Sequence, residues 1–235
     1  MITKDQISQE ITRVQSDYFA MNTGQKFPFD IELLIESYGI DIVPTANLER
    51  DFAVDAVLSA DFTTIYCDLE RYMDRKYDTR MRFSLAHELA HIRLHKNHFY
   101  AQFENVEITS SSIHDHHYGI DDSKRKQLEY EAHSFAGQLL VPTVRLRAEA
   151  AQLILNNIDM LYESNLGVNR ILAGMINKIA NAFGVSTDVI EKRITNEKIA
   201  EYLELDVNSP LNQVQKPELL TRLSKFSNIN FVHYN

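Results

Sequence analysis

The stretch FSLAHELAHIRLH (residues 83–95) places two histidines four residues apart, with a glutamate directly after the first. On a helix, side chains at i and i+4 lie one above the other, about 5 to 6 Å apart at Cβ. His87 and His91 can therefore both bind one ion at about 2.1 Å. Glu88 lies about 100° round the helix, where it can take a proton from a water molecule at that ion. The spacing predicts a zinc-dependent peptidase with Glu88 as the catalytic base.

The alternative is that His87 and His91 are ordinary core or surface histidines. Residues 78–95 contain neither glycine nor proline and carry apolar side chains on more than one face, as a mostly buried helix does. A core helix rarely places two imidazoles and a carboxylate on one turn without a partner for them. The predicted burial of this helix therefore favours a metal site.

Catalytic zinc usually has a third protein ligand. His95 is excluded because it lies roughly 12 Å along the helix axis from His87. A metzincin site is excluded as well, because Leu94 and Asn97 occupy the positions where that class needs glycine and histidine. The remaining source is a glutamate from a second helix.

The stretch EYEAHSFAGQLLVP (residues 129–142) offers two such glutamates, Glu129 and Glu131. A helical wheel puts them on opposite edges of the apolar face of this segment. Periodicity alone therefore does not choose between them.

The elements around the motif predict an α+β fold. Helical spacing ends at Gly39, and three short strand-like runs follow before Asp68, which suggests a small antiparallel sheet packed on the metal-binding helices. Only helical patterns follow Pro142. We therefore expect a zinc-peptidase core over residues 1–145 and a helical C-terminal subdomain over residues 146–235, packed on the core.

The composition indicates which binding partners and which cellular compartment to expect. The formal charge of −9 disfavours non-specific attraction to nucleic acid or to anionic lipid. Cys67 is the single cysteine, and neither a secretory signal nor an apolar run of about 20 residues is present, so the expectation is a cytoplasmic protein without a membrane span.

Residues 179–194, IANAFGVSTDVIEKRI, allow two interpretations. They resemble a helix-turn-helix, whose second helix could enter a DNA major groove. The stretch STDVIEKRI, which would be the recognition helix, carries as much acid as base, which favours an internal helical packing unit.

The two blocks together resemble the ImmA/IrrE family of metallopeptidases, whose members carry an R-F-T-L-A-H-E-L-G-H-type helix and later an E-x-E-A-N-x-F-A-x-x-L-L-M-P helix. The resemblance covers roughly residues 28–195. It implies that Glu131, the glutamate just before the alanine, is the third ligand of one zinc ion, with Glu129 a neighbour. Two departures are His133 in place of the usual asparagine and a longer segment between His91 and Glu131.

That longer segment contains SSSIHDHHYGIDD (residues 110–122). Adjacent histidines in an unpatterned polar segment have no fixed geometry, so the stretch from His114 to His117 is interpreted as a solvated loop rather than a second metal site. A further hypothesis is a lid, in which Tyr118 or His117 enters the cleft to stabilise an oxyanion.

Three function classes compete. The first is a zinc endopeptidase, whose substrate the resemblance implies is often a helix-turn-helix repressor or another regulator made by the same mobile element. The second is a non-catalytic metal-binding regulator of the same fold, and the third a DNA-binding protein. The presence of Glu88 favours the first over the second, because a structural zinc site needs no base. The acidic charge disfavours the third.

Overall fold

The computed structural model describes residues 2–21, 27–97, 122–206 and 209–227. The chain divides into two compact units, Met1–Leu140 and Val141–Asn235. The predicted division into domains near residue 145 stays a prediction.

The first unit combines helices with three short strands. Its described elements are α1 (Lys4–Met21), α2 (Ile31–Ser37), β1 (Asp41–Thr45), α3 (Leu48–Phe52), β2 (Ala56–Leu58), β3 (Thr64–Asp68), α4 (Leu69–Met73), a 3-10 turn (Arg75–Tyr77), α5 (Asp78–Ala90), a π-helical turn (His91–His95) and α6 (Asp122–Leu140). The α+β prediction is confirmed for this unit.

The three strands form one sheet in the order β1-β3-β2. Strands β2 and β3 follow each other through a short turn and pair antiparallel, whereas β1 and β3 pair parallel. The sheet is therefore mixed, which corrects the expectation of an antiparallel sheet. The parallel pair arises because the connection from β1 to β3 includes α3 and β2, which returns the chain in its original direction.

Helix α5 crosses the core of this unit. It packs against α6 and also contacts β2 and α2. The buried side chains of α5 are Met81, Leu85, Ala86, Leu89 and Ala90. The helix continues directly into the π-helical turn His91–His95, a rare winding that is frequent at functional sites. The prediction of a mostly buried helix over residues 78–95 is confirmed.

The second unit is helical in its described residues. Its elements are α7 (Thr143–Asn156), α8 (Ile158–Glu163), α9 (Val168–Phe183), α10 (Thr187–Asn196), α11 (Ile199–Tyr202), a 3-10 turn (Leu211–Gln213) and α12 (Lys216–Ser227). Gly184 has a φ of 61° and ends α9, so the predicted turn between two helices is confirmed. None of the described helices is long and apolar enough to cross a membrane.

Arg193 of α10 is buried within the second unit. Its guanidinium donates hydrogen bonds to the main-chain oxygen of Val141 and to Thr143 Oγ1, and it forms an ion pair with Glu197. The exposed charged side chains of α10 are Asp188, Glu191 and Lys192. The surface of this helix thus carries two acids and one base.

Candidate metal centre

Helix α5 and the turn after it bring His87 and His91 together. Their Nε2 atoms lie 3.1 Å apart, and their rings meet edge to face with centroids 4.8 Å apart. Both side chains are largely buried, at 12% and 8% exposed. The i, i+4 spacing thus places two imidazole nitrogens at one point, as the sequence predicted.

Glu129 of α6 completes the group. Its Oε2 lies 3.1 Å from His87 Nε2, and its Oε1 lies 3.6 Å from His91 Nε2. Two ligands bound to one tetrahedral zinc ion at about 2.1 Å are separated by about 3.4 Å. The contacts among the three side chains are close to that value, and one donor atom of each residue lies within 4.8 Å of the other two, so the group could hold a single ion. Two imidazoles and a carboxylate are also a donor set that zinc accepts.

The structure does not bring Glu131, the third ligand that the family resemblance implies, into this group. Its carboxylate lies in the core, where Oε2 is 3.1 Å from His95 Nε2 and Oε1 accepts a hydrogen bond from Gln127 Nε2 at 2.8 Å. Residues two apart on a helix point about 200° apart, so Glu129 and Glu131 cannot reach the same ion from one helix face. The structure places Glu129, predicted only as a neighbour, beside the two histidines.

The burial of α6 separates the positions of Glu131 and Glu129. Glu131 shares its helix face with Leu128 and Phe135, three residues before it and four after, and both are buried. His95 is fully buried and needs a hydrogen-bonding partner, which a carboxylate on the apolar face of α6 provides. Matching His95 with Glu131 leaves Glu129 for the metal.

The candidate centre lines a cleft with a volume of about 630 Å³. Residues 52–58, which include strand β2, form one side, α5 contributes His87 and Glu88, and the π-helical turn contributes His91. Glu88 is thus beside the candidate centre without belonging to the three-donor group. The role of Glu88 as a base stays a prediction.

A buried carboxylate fixes the segment before β2 to α5. The Asp55 side chain is 10% exposed. Its carboxylate accepts hydrogen bonds from Arg80 Nε at 2.5 Å and from Ser84 Oγ at 3.4 Å, and it also forms an ion pair with Arg71. Both Arg80 and Ser84 belong to α5. The side of the cleft formed by residues 52–58 is therefore held to the helix that carries the histidines.

Two charges near His87 shift its protonation. Burial acts to lower the pKa of His87, but the hydrogen bond and charge of Glu129, together with the charge of Glu88, outweigh it and raise the pKa. An excess of negative charge at this point is what a cation site requires. A bound cation and a proton therefore compete for the same imidazole.

His133, where the resembled family usually has asparagine, lies against the candidate centre. Its ring centroid is 4.5 Å from that of His87, and its Nδ1 is 2.8 Å from the main-chain oxygen of Glu129. It also lines the cleft. The predictions for residues 114–118, a solvated loop and a lid, lie outside the described residues.

A sheet-backed helix with a His-Glu-x-x-His stretch, facing a glutamate from a neighbouring helix, defines a metallopeptidase-like fold. The chain belongs to the peptidase M78 family of IrrE N-terminal-like domains, because the profile of that family matches residues 71–195. Comparison with curated proteins and with solved structures yields no further match.

Proposed function

We propose that this chain is a zinc-dependent endopeptidase, with one zinc ion held by His87, His91 and Glu129. The observation that carries the proposal is the convergence of His87, His91 and Glu129, each of which offers one donor atom within 4.8 Å of the other two, in a cleft that Glu88 also lines. Membership of a peptidase family supports the same chemistry.

Zinc, when bound there, supplies Lewis-acid polarisation of a substrate carbonyl and of a water molecule. Glu88 accepts the proton of the attacking water and delivers it to the leaving amine, so that one carboxylate acts as base and then as acid. Glu129 holds its negative charge beside both imidazoles. His87 and His91 contribute neutral nitrogen donors, and the cleft wall at Asp55 keeps the segment before β2 beside them.

We propose a protein as the substrate. Strand β2 is at an edge of the described three-stranded sheet and lines the cleft. An extended peptide can add to such an edge strand through main-chain hydrogen bonds. The more specific proposal, a helix-turn-helix repressor or another regulator of the same mobile element, rests on the family resemblance, whereas a cytoplasmic site of action rests on the composition.

Metal analysis tests the ligand set. The full chain, purified and dialysed with zinc, is expected to hold one zinc per chain by elemental mass spectrometry. His87→Ala, His91→Ala and Glu129→Ala are each expected to lose it, whereas Glu10→Gln, a change at a carboxylate that pairs with Arg93, serves as the folded control. Full zinc content in all three ligand variants overturns the proposed centre.

Cleavage is tested separately with two substrates. One is a denatured peptide library, whose new termini are read by mass spectrometry, and the other is a purified helix-turn-helix regulator encoded beside this gene. New termini that require zinc support an endopeptidase. Cleavage of the regulator but not of the library supports the narrower substrate class, and no cleavage of either contradicts the peptidase proposal.

Two other functions for this chain, a non-catalytic metal-binding regulator and a DNA-binding protein, remain as weaker alternatives. A regulator does not need Glu88 in the cleft. For DNA binding, α10 offers two exposed acids and one exposed base, because Arg193 is buried. The charge of this helix therefore supports the internal packing interpretation over groove recognition.

A further inference from the structure

A line of polar side chains, Glu131, His95 and His91, connects the core to the candidate metal centre. Glu131 Oε2 lies 3.1 Å from His95 Nε2, and His95 Nδ1 lies 3.1 Å from His91 Nδ1. We propose that Glu131 and His95 are positioning residues, which hold His91 in the tautomer that binds zinc and so set zinc affinity. The proposal rests on the proposed function, since it takes His91 as a ligand.

The line is closed to solvent. The side chains of Glu131, His95 and His91 are 4%, 1% and 8% exposed. Water therefore cannot readily replace a lost contact, and each polar atom depends on its neighbour in the line. The other oxygen of Glu131 accepts from Gln127 Nε2 at 2.8 Å and from the main-chain nitrogen of Ile2 at 3.3 Å. These donors turn Oε2 towards His95.

The carboxylate sets the direction of every hydrogen bond in the line. An ionised carboxylate only accepts, and a neutral imidazole has one N–H and one bare nitrogen. His95 Nε2 therefore donates to Glu131, which leaves His95 Nδ1 as an acceptor. His91 Nδ1 must then donate to His95, and the lone pair of His91 is left on Nε2.

That nitrogen is the one that faces the other two donors of the centre. His91 Nε2 lies 3.1 Å from His87 Nε2 and 3.6 Å from Glu129 Oε1. In the opposite tautomer, a hydrogen on Nε2 would prevent it from binding a metal ion. A ligating histidine commonly donates its other N–H to a carboxylate or carbonyl, which fixes its tautomer. Here an imidazole oriented by a carboxylate serves as that acceptor.

His87 differs from His91 in this respect. Its Nδ1 is buried, and among the described residues it has no hydrogen-bonding partner. Within the described part of the chain no comparable contact presets the tautomer of His87, so the polar line acts on one ligand of the pair. The effect of breaking it should therefore be a weaker site and not a lost one.

Long-range proton–nitrogen NMR of the metal-free, ¹⁵N-histidine-labelled chain reads the tautomers directly. We expect the hydrogen of His91 on Nδ1 and that of His95 on Nε2. Glu131→Leu should produce a measurable population of His91 with its hydrogen on Nε2. A purely structural role for Glu131 would leave this spectrum unchanged, and a wild-type His91 with its hydrogen on Nε2 would overturn the proposal.

Zinc affinity, measured by competition with a chromogenic chelator, tests the consequence. Glu131→Leu and His95→Phe should each keep one zinc per chain but raise Kd by about 10- to 100-fold, the usual effect of losing such a supporting contact. Glu131→Gln retains an oxygen that can accept from His95, so it should give a smaller rise in Kd. It keeps the test valid if the leucine variant misfolds. The matched control is Glu32→Gln, which removes a carboxylate that accepts from Tyr72 in the same unit. Equal Kd in all variants overturns the proposal.

The two possible failures are distinguishable. If zinc does not shift the nitrogen signals of His87 and His91 in the wild-type chain, the proposed metal centre fails and the positioning role fails with it. If zinc binds both histidines but neither tautomer nor Kd responds to Glu131 and His95, only the positioning role fails.

Discussion

Glu129 and Glu131 are two residues apart on α6, yet their carboxylates contact different histidines of the neighbouring helical segment. Glu129 Oε2 lies 3.1 Å from His87 Nε2, at the cleft, and Glu131 Oε2 lies 3.1 Å from His95 Nε2, in the core. In the proposed centre the two carboxylates therefore have separate tasks: Glu129 supplies a ligand, and Glu131 supports the ligand His91 through His95.

This separation predicts opposite results for two single substitutions. Glu129→Ala should lose zinc on dialysis, because it removes a donor atom from the ion. Glu131→Gln should keep one zinc per chain, because none of its atoms belongs to the three-donor group. Elemental analysis after dialysis measures both. Zinc lost from the Glu131 variant and kept by the Glu129 variant would restore the assignment made from the sequence.

The pKa of His87 predicts how stability and zinc binding depend on pH. Because folding raises this pKa above its usual 6.5, protonated His87 stabilises the metal-free fold. That contribution is fully present below the unfolded pKa and is lost as pH rises through the folded pKa. Zinc needs the unprotonated ring, so its affinity should rise with pH over the same window and then level off.

Urea unfolding in a chelator, from about pH 6 to about pH 9, measures this dependence. The stability difference between the wild-type chain and His87→Asn should shrink as pH rises. A difference that is constant over the window would show that the proton of His87 is not linked to folding.

A substitution of Asp55 should disturb the cleft wall formed by residues 52–58 without changing zinc binding. Asp55→Asn weakens the ion pairs to Arg71 and Arg80 and should let residues 52–58 shift from α5. Zinc content should be unchanged, while kcat/KM falls by up to about 100-fold, the scale expected when a substrate is misplaced by about 1 Å. Asp51→Asn, at an exposed position, is the control. A loss of zinc would instead indicate that Asp55 supports the centre itself.

A substitution of Arg193, in the second unit, should change the stability of the fold and nothing else. Arg193→Met leaves the buried oxygen of Val141 without its donor and should lower the free energy of unfolding by about 2 to 3 kcal/mol. Lys192→Met, at the exposed neighbouring position, should change it by less than about 0.5 kcal/mol. Urea unfolding compares the two. Equal effects would show that the buried guanidinium contributes no specific stabilisation.

Local patterns predicted the parts of the fold that depend on neighbouring residues. The helix that carries His87 and His91, the stop at Gly39 and the turn at Gly184 follow from spacing and from single-residue conformational preferences. The parallel pairing of β1 with β3 was missed, because the path of a chain between distant strands leaves no periodic signal. Helical periodicity does not choose between Glu129 and Glu131 for a related reason. Both face a helix that is far away in sequence, and only the position of His95 decides which carboxylate is buried.

In the proposed mechanism Glu88 transfers a proton during peptide hydrolysis at a zinc ion. The variant Glu88→Gln tests this proton transfer. Glutamine keeps the size and the hydrogen-bonding oxygen but removes the base. Zinc content, substrate affinity and cleavage rate should be measured on the same preparation. We predict zinc and substrate binding equal to the wild type, with cleavage slowed by at least about 100- to 10,000-fold. Cleavage at the wild-type rate, with zinc bound, would contradict the claim.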